Sequence, residues 1–260
     1  MAGHATTAPL ARRGDWLAQL GAAVPGCSAS EREALARSWR TAALGEHASV
    51  AAFARFVLDL LALGAPPELL IAAQHALAEE VTHARLCFAL AARYGDEPHG
   101  PGPLAPGGEP TSRDAVDIAC SAVIEGCVGE TVSATEVAIA RDATSDPVVR
   151  GVFARIAEDE QRHAALAWRF VRWALAQWPE LRDPVARAFA TALASPIVPD
   201  DGAPDLREHG RLGGRERAAI ARAVRDEVIA PSASSLLAAR TAASDASDAS
   251  DGRDLLAPVR

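Results

Sequence analysis

Two tetrapeptides are the residues best suited to chemistry: Glu80-Val81-Thr82-His83 and Glu160-Gln161-Arg162-His163. A Glu and a His three residues apart share one face of a helix and can reach the same metal ion. With 17 Glu and 7 His in 260 residues, chance supplies roughly 0.5 such pairs, so a second copy is informative. Their contexts also repeat. Each Glu lies 13 residues after a helix-opening proline (Pro67 or Pro147), each is preceded by a second acid (Glu79 or Asp159), and each His is followed by Ala. Carboxylate oxygens combined with imidazole nitrogens suit Fe(II) or Mn(II), and carboxylates can bridge two such ions.

A two-metal carboxylate site needs one further carboxylate from each of two other helices. The segment before the first pair offers Glu46, 34 residues ahead of Glu80. The segment before the second offers Glu125 and Glu130, 35 and 30 residues ahead of Glu160. The first segment's spacing favours Glu125. The heptad-like stripe Val123, Cys127, Glu130, Ala134, Val137 favours Glu130, and both stand as candidates. Gly126 and Gly129 beside them lower helix propensity and thin the helix wall. Glu79 and Asp159, four residues before their histidines, are expected to support the ligands from behind. His47 adjoins Glu46 but points about 100° away on an ideal helix.

These residues need four helices to position them. Residues 1–28 carry small residues, Gly and Pro without sustained periodicity and read as an arm. Ser30 and Glu33 form a Ser-x-x-Glu helix start, and a helical stripe of Trp39, Ala42, Glu46, Ser49, Phe53, Phe56 and Leu60 runs to about Leu63. A second helix starts near Pro67 and ends near Tyr94-Gly95. A Gly/Pro-rich loop from Gly95 to Pro110 is long enough to carry the chain from one end of a bundle to the other. The third helix spans roughly Ser112 to Ala143, and Asp146-Pro147 opens the fourth, which stops before Pro179. Two weaker helical stretches, about 181–195 and 213–240, follow. The tail from Ala242 repeats Ser-Asp-Ala and is expected to be disordered. No strand period appears. The expected architecture is all-α: a four-helix bundle over 29–178 made of two helical hairpins with a long crossover, additional helices over 179–240, and a Ser/Asp/Ala tail over 241–260.

Composition agrees. Apolar residues make up 49% of the chain but aromatics only 5%, so the core is mostly Ala, Leu and Val, as in packed helices. All basic residues are Arg, the net charge is −8, and no basic cluster appears, which argues against nucleic acid as a partner. No run reaches the ~18 apolar residues of a membrane span. Cys27, Cys87, Cys120 and Cys127 form no CxxC, which excludes a zinc ribbon and suggests a reducing, cytoplasmic compartment. Arg12-Arg13, the run Trp16–Val24 and Gly26-Cys27 offer a minor alternative, a lipoprotein signal interrupted by Asp15 and Gln19.

The set Glu46, Glu80 with His83, Glu125 or Glu130, and Glu160 with His163 resembles the ferritin-like di-iron superfamily, which includes bacterioferritins, rubrerythrins, ribonucleotide reductase small subunits and bacterial multicomponent monooxygenases. The likeness covers residues 30–178, and the Glu-x4-Glu spacing is similar to that of di-iron tRNA hydroxylases. It implies a ferritin-like bundle holding two iron ions, with manganese or a mixed pair as alternatives. It also implies an oxidase or hydroxylase-type reaction with O2 or peroxide on an unidentified small molecule, fed by an external electron-donor protein. Two other readings stand beside it. One is a ferroxidase or iron-storage-associated protein whose substrate is Fe(II), recruited through the tail that ends in Asp254-Leu-Leu-Ala-Pro-Val-Arg260. The other is a metal-free helical interaction protein. The only tyrosine, Tyr94, lies 11 residues beyond His83, about 16 Å along a helix, which argues against a tyrosyl radical beside the site. A homo-oligomer is compatible with the sequence.

Overall fold

The computed structural model describes residues 7–21, 26–95, 97–104, 114–202 and 205–239; the Ser-Asp-Ala tail lies outside the described residues. Among the described residues the fold is all-α apart from one short ribbon and an isolated bridge between Leu206 and Arg211. Helix α1 covers Ala29–Ala62 and α2 Pro67–Tyr94. Helix α3 (residues 115–143) is α-helical over Ala115–Ser121, π-helical over Ala122–Glu130 and α-helical again over Thr131–Ala143. Helix α4 covers Pro147–Gln177, α5 covers Arg182–Ala194, and α6 (residues 214–238) carries a π-helical stretch at Arg225–Ile229.

Local chemistry sets these boundaries. The capping box of α1 is built by Ser28 and Glu31 rather than Ser30 and Glu33: the Ser28 hydroxyl accepts from Glu31 N–H at 3.3 Å, and the Glu31 carboxylate accepts from Ser28 N–H at 2.7 Å. Both tetrapeptides fit the pattern, but Glu33 is drawn one turn forward to Arg37. Leu63 ends α1, Gly64 turns the chain at φ +64°, and Pro67 opens α2 at a position where its missing N–H costs nothing. Asp146 caps α4 by accepting from Val148 N–H at 2.9 Å, with Pro147 again first in the helix.

Helix α1 packs along α2 and α3 along α4, each pair joined by a short turn, and α2 packs against α4. The C-terminal helices cover α3: α5 lies on its first turns and π-helical segment, and the start of α6 lies on its last turns. Contrary to the expectation of no strand, Leu10–Arg12 (β1) and His99–Pro101 (β2) pair antiparallel, with Ala11 opposite Gly100. Three residues are too few for an alternating pattern to show. Part of the expected arm is thus held on the helices: Trp16 packs edge-on to His47 and Phe88, at 5.2 and 6.4 Å between ring centroids.

Two apolar clusters fill the interior. One contains Leu35, Trp39, Ala43, Cys87, Phe153 and Ile156, the other Leu60, Ala76, Cys127, Leu166 and Phe170. Along α1, α2 and α4 the residues between them are Glu46, Glu80 with His83, and Glu160 with His163. A polar layer therefore divides the hydrophobic core. Burying it is unfavourable unless each group is matched by a partner or an ion.

Candidate metal centre

Six of the seven candidate residues meet in this layer. Ligand atoms of Glu46, Glu80, His83 and Glu160 lie within 4.8 Å of one another, and so do those of Glu130, Glu160 and His163. Glu160 belongs to both groups, and Glu80 lies 3.1 Å from His163 Nδ1. His83 Nδ1 stands 3.4 Å from Glu160, 3.7 Å from Glu80 and 3.8 Å from Glu46. Such a buried Glu/His group can hold a metal ion.

Glu125 is the exception. It is exposed and lies outside both groups. The second hairpin is shorter than the first on its first arm. Glu130 lies 13 residues before the end of α3 at Ala143, level with Glu160, 13 residues after Pro147. The π-helical turns, whose hydrogen bonds reach one residue further than in an α-helix, also shift the register on the far side of Glu130. Gly126 in that segment admits α4: a Cβ there would meet the Ala167 Cβ at 2.4 Å.

Both histidines use one ring nitrogen for support and leave the other facing the cluster. His83 Nε2 is 3.0 Å from Asp159, and His163 Nε2 is 2.9 Å from Glu79. The support is reciprocal across the hairpins: the acid preceding each Glu-x-x-His serves the histidine of the other. Residue 79 faces 163 and 83 faces 159, so α2 and α4 run antiparallel about a local two-fold axis near residues 81 and 161. Arginines hold the supporting acids in turn. Arg155 donates to Asp159 at 2.8 Å, and Arg162 spans both acids, donating to Glu79 at 2.7 Å and also to Asp159. Sequence reading anticipated the supporting role of Glu79 and Asp159 but missed their exchange of partners and both arginines. The signal was present in the helical spacings Arg155/Asp159 and Asp159/Arg162.

The other nitrogens, His83 Nδ1 and His163 Nδ1, together with Glu80 Oε2, are buried without a hydrogen-bond partner. Carboxylate neighbours lie close but misaligned. Orphaned nitrogens and a carboxylate oxygen set among these ligand groups fit cations as the missing partners.

Protonation reflects the same crowding. Burial, then the charges of Glu80 and Glu160, hold the Glu46 carboxyl well above its usual range; burial and Glu160 do the same for Glu130. Burial alone would lower the His83 imidazole, but the facing Glu160, Glu80 and Glu46 overturn it and raise it to about 11. His163 is raised too, burial again being outweighed by Glu80 and Glu160. Burial opposes ionisation of Glu160 and Asp159 as well. The neighbouring histidines, joined by Glu130 for Glu160 and by Arg155 for Asp159, nevertheless bring both below their ordinary values. Metal-free, the cluster therefore retains protons that a metal would displace.

Other sequence candidates fall elsewhere. Cys87 and Cys127 are buried with their thiols pushed up by burial, as inert core residues are, and all four cysteines are free. Tyr94 is buried beside Asp146 and His209, away from the cluster. No described helix is long and apolar enough to cross a membrane. Comparison with protein-family models, curated protein sequences and solved structures finds no significant match.

Proposed function

We propose that this protein is a di-iron oxidase or oxygenase built on a ferritin-like four-helix bundle of two hairpins joined by a crossover. The observation that carries the reading is the pair of orphaned imidazole nitrogens, each aimed into a carboxylate cluster and each backed by an acid from the opposite hairpin. One ion would be held by Glu46, Glu80, His83 and Glu160, the second by Glu130, Glu160 and His163 with Glu80 close by. Glu80 and Glu160 are the bridging candidates. Four glutamates balance two divalent cations, so the filled layer is near neutral. That suits burial between two apolar clusters.

When bound there, a ferrous pair would supply the electrons that reduce O2, and the oxidised pair would take electrons back from a substrate. The chain supplies the setting. Asp159 and Glu79 accept from the Nε2–H of His83 and His163, fixing the tautomer that presents a lone pair at Nδ1. The apolar clusters above and below limit water at the layer. In the metal-free protein burial and the neighbouring carboxylates favour the protonated forms of Glu46 and Glu130, so filling the layer would release those protons.

Loading metal-free protein with Fe(II) under anaerobic conditions, counting the iron retained and then admitting O2 tests the proposal. About two irons per chain and a new near-ultraviolet band after oxygen support it. Sustained oxidation of excess Fe(II) shifts the reading to a ferroxidase. Less than about one iron per chain and no band overturn it, and a structural role for the polar layer takes its place.

A further inference from the structure

The loop between α5 and α6 is built to aim one side chain inward. Leu206 and Arg211 exchange backbone hydrogen bonds of 2.9 and 3.1 Å. Between them Gly210 takes φ +75° and presses so closely on α4 that a Cβ would lie 2.5 Å from Phe153 and 2.6 Å from Val149. The Glu208 carbonyl accepts from the Thr144 hydroxyl at 2.7 Å and from Ser145 N–H at 3.1 Å, tying the loop to the corner between α3 and α4. So fixed, the loop lays the Arg211 guanidinium over the indole of Trp39, 4.7 Å from its centroid. Trp39 stands two turns before Glu46 on α1, about 10 Å along the helix.

Arg211 is a half-buried cation without a counter-ion. Among the described residues no carboxylate lies within ion-pair distance of it. Of the acidic groups that act on it, Glu136 is engaged by Arg217 at 2.9 Å, Glu46 belongs to the metal cluster, and the Cys87 thiol is kept neutral by burial. A second group nearby is also unmatched: the indole N–H of Trp39, on a side chain 1% exposed, has no acceptor. A cation without a counter-ion, lying over an indole whose buried N–H also lacks an acceptor, calls for an anionic acceptor. The surroundings are apolar. Phe153 packs on Trp39 at 5.4 Å between ring centroids, and Leu212 is buried in the same cluster. One guanidinium and one neutral donor among such neighbours match a monoanion with an apolar body better than a phosphate dianion, which asks for more positive charge.

We propose that Arg211 and Trp39 form a binding subsite for the carboxylate group of a small apolar acid, beside the metal layer. That the bound acid is the molecule oxidised rests on the di-iron reading; the binding site itself does not. It also gives the C-terminal helices a task, since they bring Arg211 to the bundle.

Isothermal titration calorimetry with benzoate, its neutral isostere benzamide and inorganic phosphate tests the subsite. Both metal-free and Fe(II)-loaded protein are titrated, with metal counted per chain. Benzoate is expected to bind both forms, and benzamide and phosphate about tenfold or more weakly. Arg211→Met should weaken benzoate about tenfold or more, and Arg211→Lys, which keeps charge but not the planar fork, should fall between. Circular dichroism establishes that each variant is folded, and Arg211→Lys serves alone if Arg211→Met is not. No benzoate binding to the wild type, benzamide or phosphate binding as tightly, or unchanged affinity in the Arg211 variants would overturn the proposal. If iron fails to load while benzoate binding still depends on Arg211, the di-iron reading falls and the subsite stands.

Discussion

Asp159→Ala separates a metal-supporting acid from a merely structural one. Asp159 is fully buried, accepts from His83 Nε2 at 3.0 Å and is held by Arg155 and Arg162. Losing a carboxylate behind a ligating histidine typically weakens metal binding about 10- to 100-fold, which is roughly 1.4–2.7 kcal/mol. At saturating metal that difference is subtracted from the stabilisation the metal confers on the folded state. For a chain of this size about 2–4 °C of melting temperature corresponds to each kcal/mol, so the metal-induced rise should shrink by roughly 3–10 °C. The comparison is between rises, with and without metal, so the cost of leaving His83 without its buried partner is common to both forms and cancels. Differential scanning calorimetry with Mn(II) in air, and with Fe(II) under anaerobic conditions, supplies the numbers. A rise within roughly 1 °C of the wild-type value, in a variant that still binds metal, would refute the argument that His83 is a ligand oriented by Asp159.

Metal-induced stabilisation should also grow with pH. The raised pKa of His83, about 11 against an ordinary 6.5, stabilises the metal-free fold fully below about pH 6.5 and progressively less as pH climbs towards that raised value. The raised Glu46 and Glu130 act in the same sense, their contribution being full only below the ordinary carboxylate range. Metal-free protein should therefore melt lower at pH 8.5, about two units above the ordinary histidine value, than at pH 6, about half a unit below it, while the metal-loaded form changes less; a pH-independent gain on loading would contradict this. Glu130→Ala should lose retained iron and Glu125→Ala should keep it, as counted by a colorimetric iron assay after gel filtration. Gly126→Ala, driven into Ala167, should destabilise by about 1–3 kcal/mol in urea unfolding. Gly129→Ala, where a Cβ meets nothing closer than the Ile124 carbonyl oxygen at 3.5 Å, should be neutral or stabilising by up to about 1 kcal/mol.

Helix boundaries were legible wherever a side chain declares them: Pro67, Pro147 and Asp146 mark the starts of α2 and α4 to the residue. The start of α1 was legible only to within two residues, because Ser28/Glu31 and Ser30/Glu33 spell the same capping box and a competing Arg37 decides between them. The two Glu-x-x-His pairs and Glu46 were visible because their spacing is local to one helix. The choice between Glu125 and Glu130 was not, since it turns on π-helical turns that no propensity announces and on the length of one arm of a hairpin. Partner exchange between Glu79 and Asp159, and the reach of Arg211 to Trp39, depend on how separate helices dock, which no single-helix pattern contains.

The reciprocal support of His83 by Asp159 and of His163 by Glu79 has a topological consequence. Neither hairpin owns a complete ligand set, since each carries the prop for the other's imidazole. A chain trapped with only one hairpin formed has half a centre and no means of orienting it, so capture of a metal would have to follow docking of the halves rather than nucleate either of them. The site is, however, indifferent to which molecule supplies the second half. Two chains exchanging hairpins would rebuild the same centre twice, with every prop in place. Intact metal loading thus guarantees correct docking, but not a monomer.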